Sequence, residues 1–418
     1  MEEILFPKHI IQLGPNQYKK LDCIIVGAGI VGLSTAYCYK KKFPDHKVLV
    51  IDKENQIFNH QSGRNSGVIH SGIYYEPGSY KAKNCITGYK MLIKFAKENK
   101  IPFKITGKLI VATKESDLKV LNRVYQNGIK NGLKGIKLLE RDEALKVEPY
   151  CKNIIKAIYV PQSGIINYKA VGYKLLEKFK RLGGLLKLNT NLVGIDQIND
   201  IVKLNTSKGE LLSNKIIICS GISSDKFISK FLKKKYRIFP FRGEYYYLKS
   251  SIKDYIKGLV YPVPDLNFPF LGVHLTNTIN GEVEAGPNAV LSLSRYGYQR
   301  SSFNITDFFN IISWKGFWVF SSKFWKIGLF EVYRSFSKTQ FTKSIQNLVP
   351  DIKKTDLIKG KSGIRAQIMM DNGELLDDFM IESNKNIFTV VNAPSPAATA
   401  SFAISEQIIN YVIKNESR

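Results

Sequence analysis

Acidic side chains are scarce in this sequence of 418 residues: Asp and Glu number 35 against 62 Lys and Arg, a formal net charge of +27. Such a surplus argues against a basic partner and favours a nucleic acid, an anionic membrane surface or an acidic substrate. The lysines are spread along the whole chain among Ile and Asn, so a compositional bias accounts for the charge as well. Cysteine is sparse: Cys23, Cys38, Cys85, Cys151 and Cys219 form no CxxC pair and no metal-ligand spacing. That excludes a zinc ribbon or a disulfide framework, leaves no metal expected, and points to reduced thiols in a cytoplasmic setting. No apolar run approaches the roughly 18 residues of a spanning helix. Residues 1–20 carry Glu2 and Glu3, lack an apolar h-region and do not read as a signal peptide; they form an N-terminal extension. No internal repeat and no RNA-binding module is visible, so no nucleic-acid partner is expected.

What is present suits a globular protein with a full core, with 44% hydrophobic and 12% aromatic residues. Leu21 to Val26 is an apolar run that breaks into Gly27-Ala28-Gly29-Ile30-Val31-Gly32. Gly32 to Lys40 reads as a helix, and Lys47 to Ile51 as a strand ending at Asp52. A strand, glycine turn, helix and strand with an acid about 20 residues past the last glycine is the context a dinucleotide fingerprint needs. Gly27 permits the tight turn, Gly29 lets the backbone approach a pyrophosphate, and Gly32 lets the helix pack on the strand. The helix N-terminus offers N–H groups to phosphates, and Asp52 accepts hydrogen bonds from a ribose. FAD and NAD share this fingerprint, and it does not separate them.

Beyond it lies a polar glycine loop, Ser62 to Gly72, then helical patterning over Lys81–Asn99 and Glu115–Gly132. Leu186–Ile195 and Ile201–Asn205 alternate like paired strands, and Ile216–Cys219 is an apolar strand closed by Ser220-Gly221. From Tyr236 the texture becomes aromatic and β-rich, and a final helix runs from about Ala397 to Ile413. The expected fold class is α/β (α+β overall). A Rossmann-like dinucleotide domain is assembled from discontinuous segments (21–85, 150–235 and 357–418), with a mixed-sheet substrate or cap domain inserted (86–149 and 236–356).

Several strings are more specific: SGRNSGVIHSGIYY (Ser62–Tyr75), PGSYKA (Pro77–Ala82), VYPVPD (Val260–Asp265), PFLGVHLT (Pro269–Thr276), GPNAVLSLSRYGY (Gly286–Tyr298), GIRAQ (Gly363–Gln367) and NAPSPAATAS (Asn392–Ser401). With them the chain, from about Asp22 to Ile413, resembles the L-2-hydroxyglutarate oxidase/dehydrogenase family of the FAD-dependent D-amino-acid-oxidase-like superfamily. Tyr296 departs from the family pattern, standing where an acidic residue is expected and putting a local ion pair in doubt.

The resemblance implies oxidation of L-2-hydroxyglutarate to 2-oxoglutarate, with hydride passing to N5 of a non-covalent FAD and electrons going on to oxygen or a membrane quinone. It implies FAD contacts at Gly27, Gly29, Gly32, Asp52, Ser62, Asn65, Ser66, Gly67 and Gly221. Asn392, Ala393, Pro394 and Ser395 open the last helix, where backbone N–H groups face the flavin and stabilise charge on reduction. A base must take the hydroxyl proton, and imidazole suits that near neutral pH. Of the five histidines, His70 and His274 lie inside family-like strings and are the candidates. Two substrate carboxylates ask for cationic anchors. Arg365 comes first, then Arg242, with Lys81 and Arg64 behind them; Tyr74, Tyr75 and Tyr245 are candidate hydroxyl donors. Other enzyme readings are sn-glycerol-3-phosphate or amino-acid oxidation in the same superfamily; outside it stand a basic flavoprotein acting on RNA and a non-catalytic, membrane-associated flavin-binding scaffold.

The stretch 314–328 repeats aromatic residues at spacings of three and four, with Lys315, Lys323 and Lys326 interspersed. It fits either a core helix or an interfacial helix resting on the inner membrane face beside a quinone pool.

Overall fold

The computed structural model describes residues 21–228, 236–265 and 270–416; the N-terminal extension lies outside the described residues. Strand β1 (Leu21–Val26), helix α1 (Ile30–Lys42) and strand β2 (Val48–Ile51) form the expected opening unit. β1 pairs in parallel with β2 on one side and with Gly209–Ile218 on the other. The helix ends in Lys40, Lys41 and Lys42, where cations complement its dipole. Strands in the middle of a parallel sheet are covered on both faces, which is why β1 and β2 are continuously apolar instead of alternating.

This first sheet has eight strands. Gly209–Ile218 divides its pairing: its first half runs antiparallel to Ile201–Thr206, and Ile216–Ile218 runs parallel to Ile387–Asn392. The run expected as Leu186–Ile195 is broken at Asn189, whose φ is +52°. Leu192–Ile198 pairs with Ile201–Thr206, whereas Leu185–Lys187 joins β2 in parallel.

Helix α2 (Tyr80–Glu98) packs on the terminal helix Ala397–Glu416, and that helix on α1. The contact is close because of Gly88, where a Cβ would sit 2.5 Å from Ala400 Cα. Leu33, Ala36, Phe95, Val171, Phe402 and Ile408 meet in the core beneath. The expected boundary after residue 85 therefore falls inside one helix, all of which lies on the dinucleotide side.

A second sheet of ten strands carries the other half. Its spine is the antiparallel pair Tyr236–Leu248 and Leu357–Met370, paired from Tyr236 opposite Met370 to Leu248 opposite Leu357 with a shift of register between Glu244 and Tyr246. The segments 150–235 and 357–418 are expected on the dinucleotide side, yet Lys156–Val160 and Leu357–Met370 are strands of this second sheet. Leu357–Met370 finds its hydrogen-bond partners along Tyr236–Leu248, while the free edge of Ile387–Asn392 is taken by Met380–Asn384. Between the two sheets lies one large cavity.

Candidate active site

The cavity measures about 1080 Å³ and runs from the glycine turn after β1 to the strands of the second sheet. Small-molecule sites span roughly 300–1,000 Å³, so this one is large enough for a cofactor and a substrate together.

At its dinucleotide end the glycines do the work expected of them. Gly27 has φ +110°, and a Cβ there would lie 2.4 Å from the Cys219 carbonyl oxygen. Gly29 lines the cavity. Gly32 does not: its missing Cβ would sit 1.9 Å from the Gly27 carbonyl oxygen, so its role is to bring helix against turn. Asp52 Oδ2 accepts from the Ala28 N–H at 2.6 Å and Oδ1 from the Glu54 N–H at 2.9 Å, holding the turn against the end of β2. Ser62 Oγ accepts from the Ile30 N–H at 2.9 Å and fastens the polar loop to the start of α1. Asn65 staples that loop internally, donating to the Ser62 carbonyl at 2.8 Å and accepting from the Gly67 N–H at 3.0 Å. Ser62, Asn65, Ser66, Gly221 and Asn392 to Ser395 all line the cavity. Gly67 is set back, with φ +71° and a Cβ position 2.7 Å from the Ile166 carbonyl oxygen. Asn392 donates its amide to the Leu376 and Asp378 carbonyls, which pins the loop before the terminal helix.

At the other end, segments distant in sequence converge. His70, Tyr74, Tyr75 and Lys81 come from the loop and the start of α2; Tyr245 comes from one long strand and Arg365 from the other; Tyr261 and His274 come from two neighbouring strands farther along the same sheet, beyond Val283–Gly286. The His70 backbone N–H donates to Thr399 Oγ1 at 3.1 Å, and the same hydroxyl meets Tyr168 Oη at 2.8 Å. His274 stacks on Tyr261 with centroids 3.9 Å apart. Its Nδ1 lies 3.0 Å from the Gly272 carbonyl; a carbonyl only accepts, so Nδ1 carries the proton and Nε2 keeps a lone pair. The Arg365 guanidinium rests over Phe270, 5.5 Å from the ring centroid. The Tyr74 hydroxyl is buried in the cavity wall without a hydrogen-bond partner.

Both imidazoles are held neutral. Burial pushes His274 down to about 3, against the Gly272 hydrogen bond and with help from Arg365. Burial, then the charge of Lys108, carries His70 well below its ordinary value. Lys108 is itself 2% exposed, and burial lowers its amine to about 7. Its Nζ rests on the Tyr261 ring at 4.0 Å.

Arg242 does not reach the cavity. On a strand, side chains two apart share a face, and Gly243 and Tyr245 take the cavity side. Arg242 and Glu244 point the other way and pair at 3.3 Å, with Arg300 on the same carboxylate at 3.0 Å. Where an acid was expected, Tyr296 supplies an aromatic face to Lys53, whose Nζ is 3.5 Å from the ring centroid. Sequence reasoning missed Tyr261, Gln367, Asp377 and Lys108. Tyr261 and Gln367 stand inside the family-like strings Val260–Asp265 and Gly363–Gln367, whereas Asp377 and Lys108 lie outside all such strings.

The profile of the DAO family, described as FAD dependent oxidoreductase, matches residues 22–410. The chain belongs to this family. The L-2-hydroxyglutarate dehydrogenase of Indibacter alkaliphilus is 47% identical, over 94% of this chain and 98% of its own length. The mitochondrial L-2-hydroxyglutarate dehydrogenase of Dictyostelium discoideum is 41% identical, over 94% of this chain and 93% of its own. Among solved structures, the FAD-bound L-alpha-glycerophosphate oxidase of Mycoplasma pneumoniae superposes with a TM-score of 0.76 at 22% identity, over 94% of this chain and 95% of that one. Glycine oxidase from Geobacillus kaustophilus gives 0.72 at 16%, with the same coverage. The latter two share the fold.

The residues fit the cofactor of the DAO family. A backbone cradle that any Cβ at Gly27 would fill, a helix start facing the cavity and a carboxylate at the end of β2 are the donor set an FAD pyrophosphate and ribose require. Oxidoreductase chemistry on FAD is thus common to the family and to the build of this chain.

Proposed function

We propose that this DAO-family chain oxidises L-2-hydroxyglutarate to 2-oxoglutarate. The carrying observation is that, of the six cationic side chains among the described residues lining the cavity, Arg365 neighbours the neutral imidazole of His274 and Lys81 that of His70, in a chain 47% identical to an L-2-hydroxyglutarate dehydrogenase. Two cations suit a substrate with two carboxylates, and a neutral imidazole suits removal of a hydroxyl proton.

In this reading Arg365 grips the carboxylate next to the carbinol as a planar fork, with the Tyr245 and Tyr74 hydroxyls donating beside it. Lys81 receives the distal carboxylate. His70 takes the hydroxyl proton: its ring makes no hydrogen bond among the described residues, and its backbone is anchored at Thr399. His274, fixed as the Nδ1–H tautomer, presents Nε2 to the same space and orients the hydroxyl. When bound, FAD supplies the acceptor for the hydride leaving the carbinol carbon. The flavin is held non-covalently, so acid precipitation releases it to the supernatant.

Anaerobic addition of L-2-hydroxyglutarate to the yellow holoenzyme tests the reading. Bleaching of the flavin band, with the D-isomer, glycerol 3-phosphate and D-amino acids inert, is expected. A holoenzyme bleached by one of those compounds and not by L-2-hydroxyglutarate refutes it.

The helix Lys315–Phe336 supports a membrane quinone as the electron acceptor. Its buried positions are Gly316, Glu331 and Ser335, while Trp318, Trp325, Leu329 and Phe336 are exposed at 59, 54, 61 and 70%. Trp314, Phe317 and Phe320 pack inward, so only part of the aromatic stripe is core. Exposed aromatics beside Lys315, Lys323 and Lys326 suit the interface of an anionic bilayer, where a quinone accepts the electrons. No helix among the described residues is long and apolar enough to cross a membrane. Co-sedimentation with phosphatidylglycerol vesicles, lost in the W318A/W325A variant and weakened by salt, is expected. Equal sedimentation of the variant sinks the docking surface, and rapid oxygen consumption without quinone sinks the acceptor.

A further inference from the structure

Lys81 is paired across the cavity mouth with Asp377, Nζ to Oδ1 at 2.6 Å, and the two side chains are unequally sheltered: 12% of the lysine is exposed against 73% of the aspartate. Lys81 sits in the first turn of α2, with Nζ 5.0 Å from the Tyr75 ring centroid. Its amine is therefore enclosed, whereas the carboxylate reaches in from solvent. An exposed carboxylate gives up little by leaving such a pair, because water takes the place of the lysine.

The surrounding chain allows it to leave. Asp377 lies in the short link between Leu375–Leu376 and Met380–Asn384. The next residue anchors that link: Asp378 Oδ2 accepts from the Tyr80 N–H at 3.2 Å, and the Asp378 carbonyl accepts from the Asn392 amide at 2.8 Å. The backbone stays in place while the Asp377 side chain swings. The other carboxylates on the described cavity wall, Asp52 and Glu54, stand at the dinucleotide end. Asp52 is held by backbone N–H groups, and Glu54 by Lys53 and His60. At the substrate end Asp377 is the one exchangeable carboxylate among the described lining residues.

We infer that Asp377 is a built-in competitor: its carboxylate occupies Lys81 until the distal carboxylate of the substrate displaces it, and this exchange sets how strongly a dicarboxylate is preferred over a monocarboxylate. The inference rests on the dicarboxylate reading given above. A ligand lacking the second carboxylate leaves the Lys81–Asp377 pair intact and gains nothing from it. A dicarboxylate gains the enclosed amine and loses only what the exposed pair was worth. The charge of Lys81 also reaches His70, so the exchange takes place within electrostatic range of the proposed base.

Calorimetric titration of the FAD-loaded enzyme with glutarate and with butyrate, neither of which carries the reacting hydroxyl, tests this without turnover. Asp377→Asn and Asp377→Ala are both expected to tighten glutarate about threefold, the scale of an exposed ion pair, and to leave butyrate unchanged. Lys81→Met is expected to weaken glutarate at least about tenfold and to spare butyrate, since a charge-assisted contact is lost. Unchanged or weaker glutarate binding in the Asp377 variants, or an equal shift for butyrate, overturns the inference. So does a wild type that binds glutarate no more tightly than butyrate. A wild type that prefers glutarate, shows the variant pattern and still fails to oxidise L-2-hydroxyglutarate leaves the competitor standing and removes the proposed reaction alone.

Discussion

Arg242→Met separates a structural arginine from a substrate-binding one. Arg242 is 5% exposed, its Nε is 3.3 Å from Glu244 Oε1, and Nη1 donates to the Gln299 carbonyl at 3.0 Å. Removing one partner of a buried ion pair costs roughly 3–5 kcal/mol when the other charge is stranded. Glu244 is not stranded, because Arg300 stays at 3.0 Å, Ser335 donates at 2.7 Å and Asn288 at 3.2 Å. Methionine also keeps much of the buried alkyl volume. The loss therefore reduces to two hydrogen bonds from a charged donor, roughly 3 kcal/mol net at the lower end for such bonds. For a chain of 418 residues, whose unfolding entropy is roughly 0.9 kcal/mol/K, that lowers the melting temperature by roughly 2–4 °C. Thermal unfolding of the FAD-loaded variant reads the stability, and steady-state kinetics reads the site. The KM for L-2-hydroxyglutarate is expected to stay within about twofold of the wild type, because Arg242 faces away from the cavity. A KM raised more than about tenfold in a variant that melts like the wild type refutes the placement of this side chain.

Three further outcomes follow from the same geometry. Gly32→Ala, whose Cβ would meet the Gly27 carbonyl oxygen at 1.9 Å, is expected to lose FAD during gel filtration, because helix and turn must separate; a variant that keeps a full flavin spectrum contradicts this. Arg365→Lys keeps the charge and loses the fork, so KM should rise about tenfold or more with a smaller change in kcat; equal KM values for variant and wild type count against a bidentate grip. The histidines give a pH signature: burial depresses His274 to about 3 and places His70 well below its ordinary value. Below about pH 6.5 the unfolded chain binds protons that the folded chain refuses, so stability from His274 is complete above 6.5 and drains away as pH falls toward 3. For the same reason kcat/KM should show no acid limb near 6.5, and a clear break there in the wild type would exclude a buried neutral base.

What the sequence disclosed depended on how local the cause was. Gly27, Gly29, Gly32 and Asp52 act within a single strand-turn-helix-strand unit, and spacing alone locates them. His70, His274 and Arg365 became visible through the strings around them, and the structure brings all three to one cavity. Arg242 was misjudged because a charged residue in a strand faces one side or the other according to register, and that register is set by Leu357–Met370, more than a hundred positions away. Asp377 escaped notice for a similar reason: its meaning lies in Lys81, 296 positions distant. The segment boundaries drifted because α2 owes its place to Gly88 meeting Ala400, a contact no window of sequence contains.

The buried carboxylate of Glu244 carries one more implication. It holds Ser335, near the end of the outward-facing aromatic helix, at 2.7 Å, and it neighbours Gly243 and Tyr245 on the cavity wall. Glu331 on the same helix grips the Ala289 N–H at 2.9 Å. The helix is thus tied by polar side chains to the strand that bears Tyr245 and to the segment that follows Asn288. A surface that received that helix would inherit a fixed bearing on the cavity, as a machine tool takes its alignment from its mounting flange.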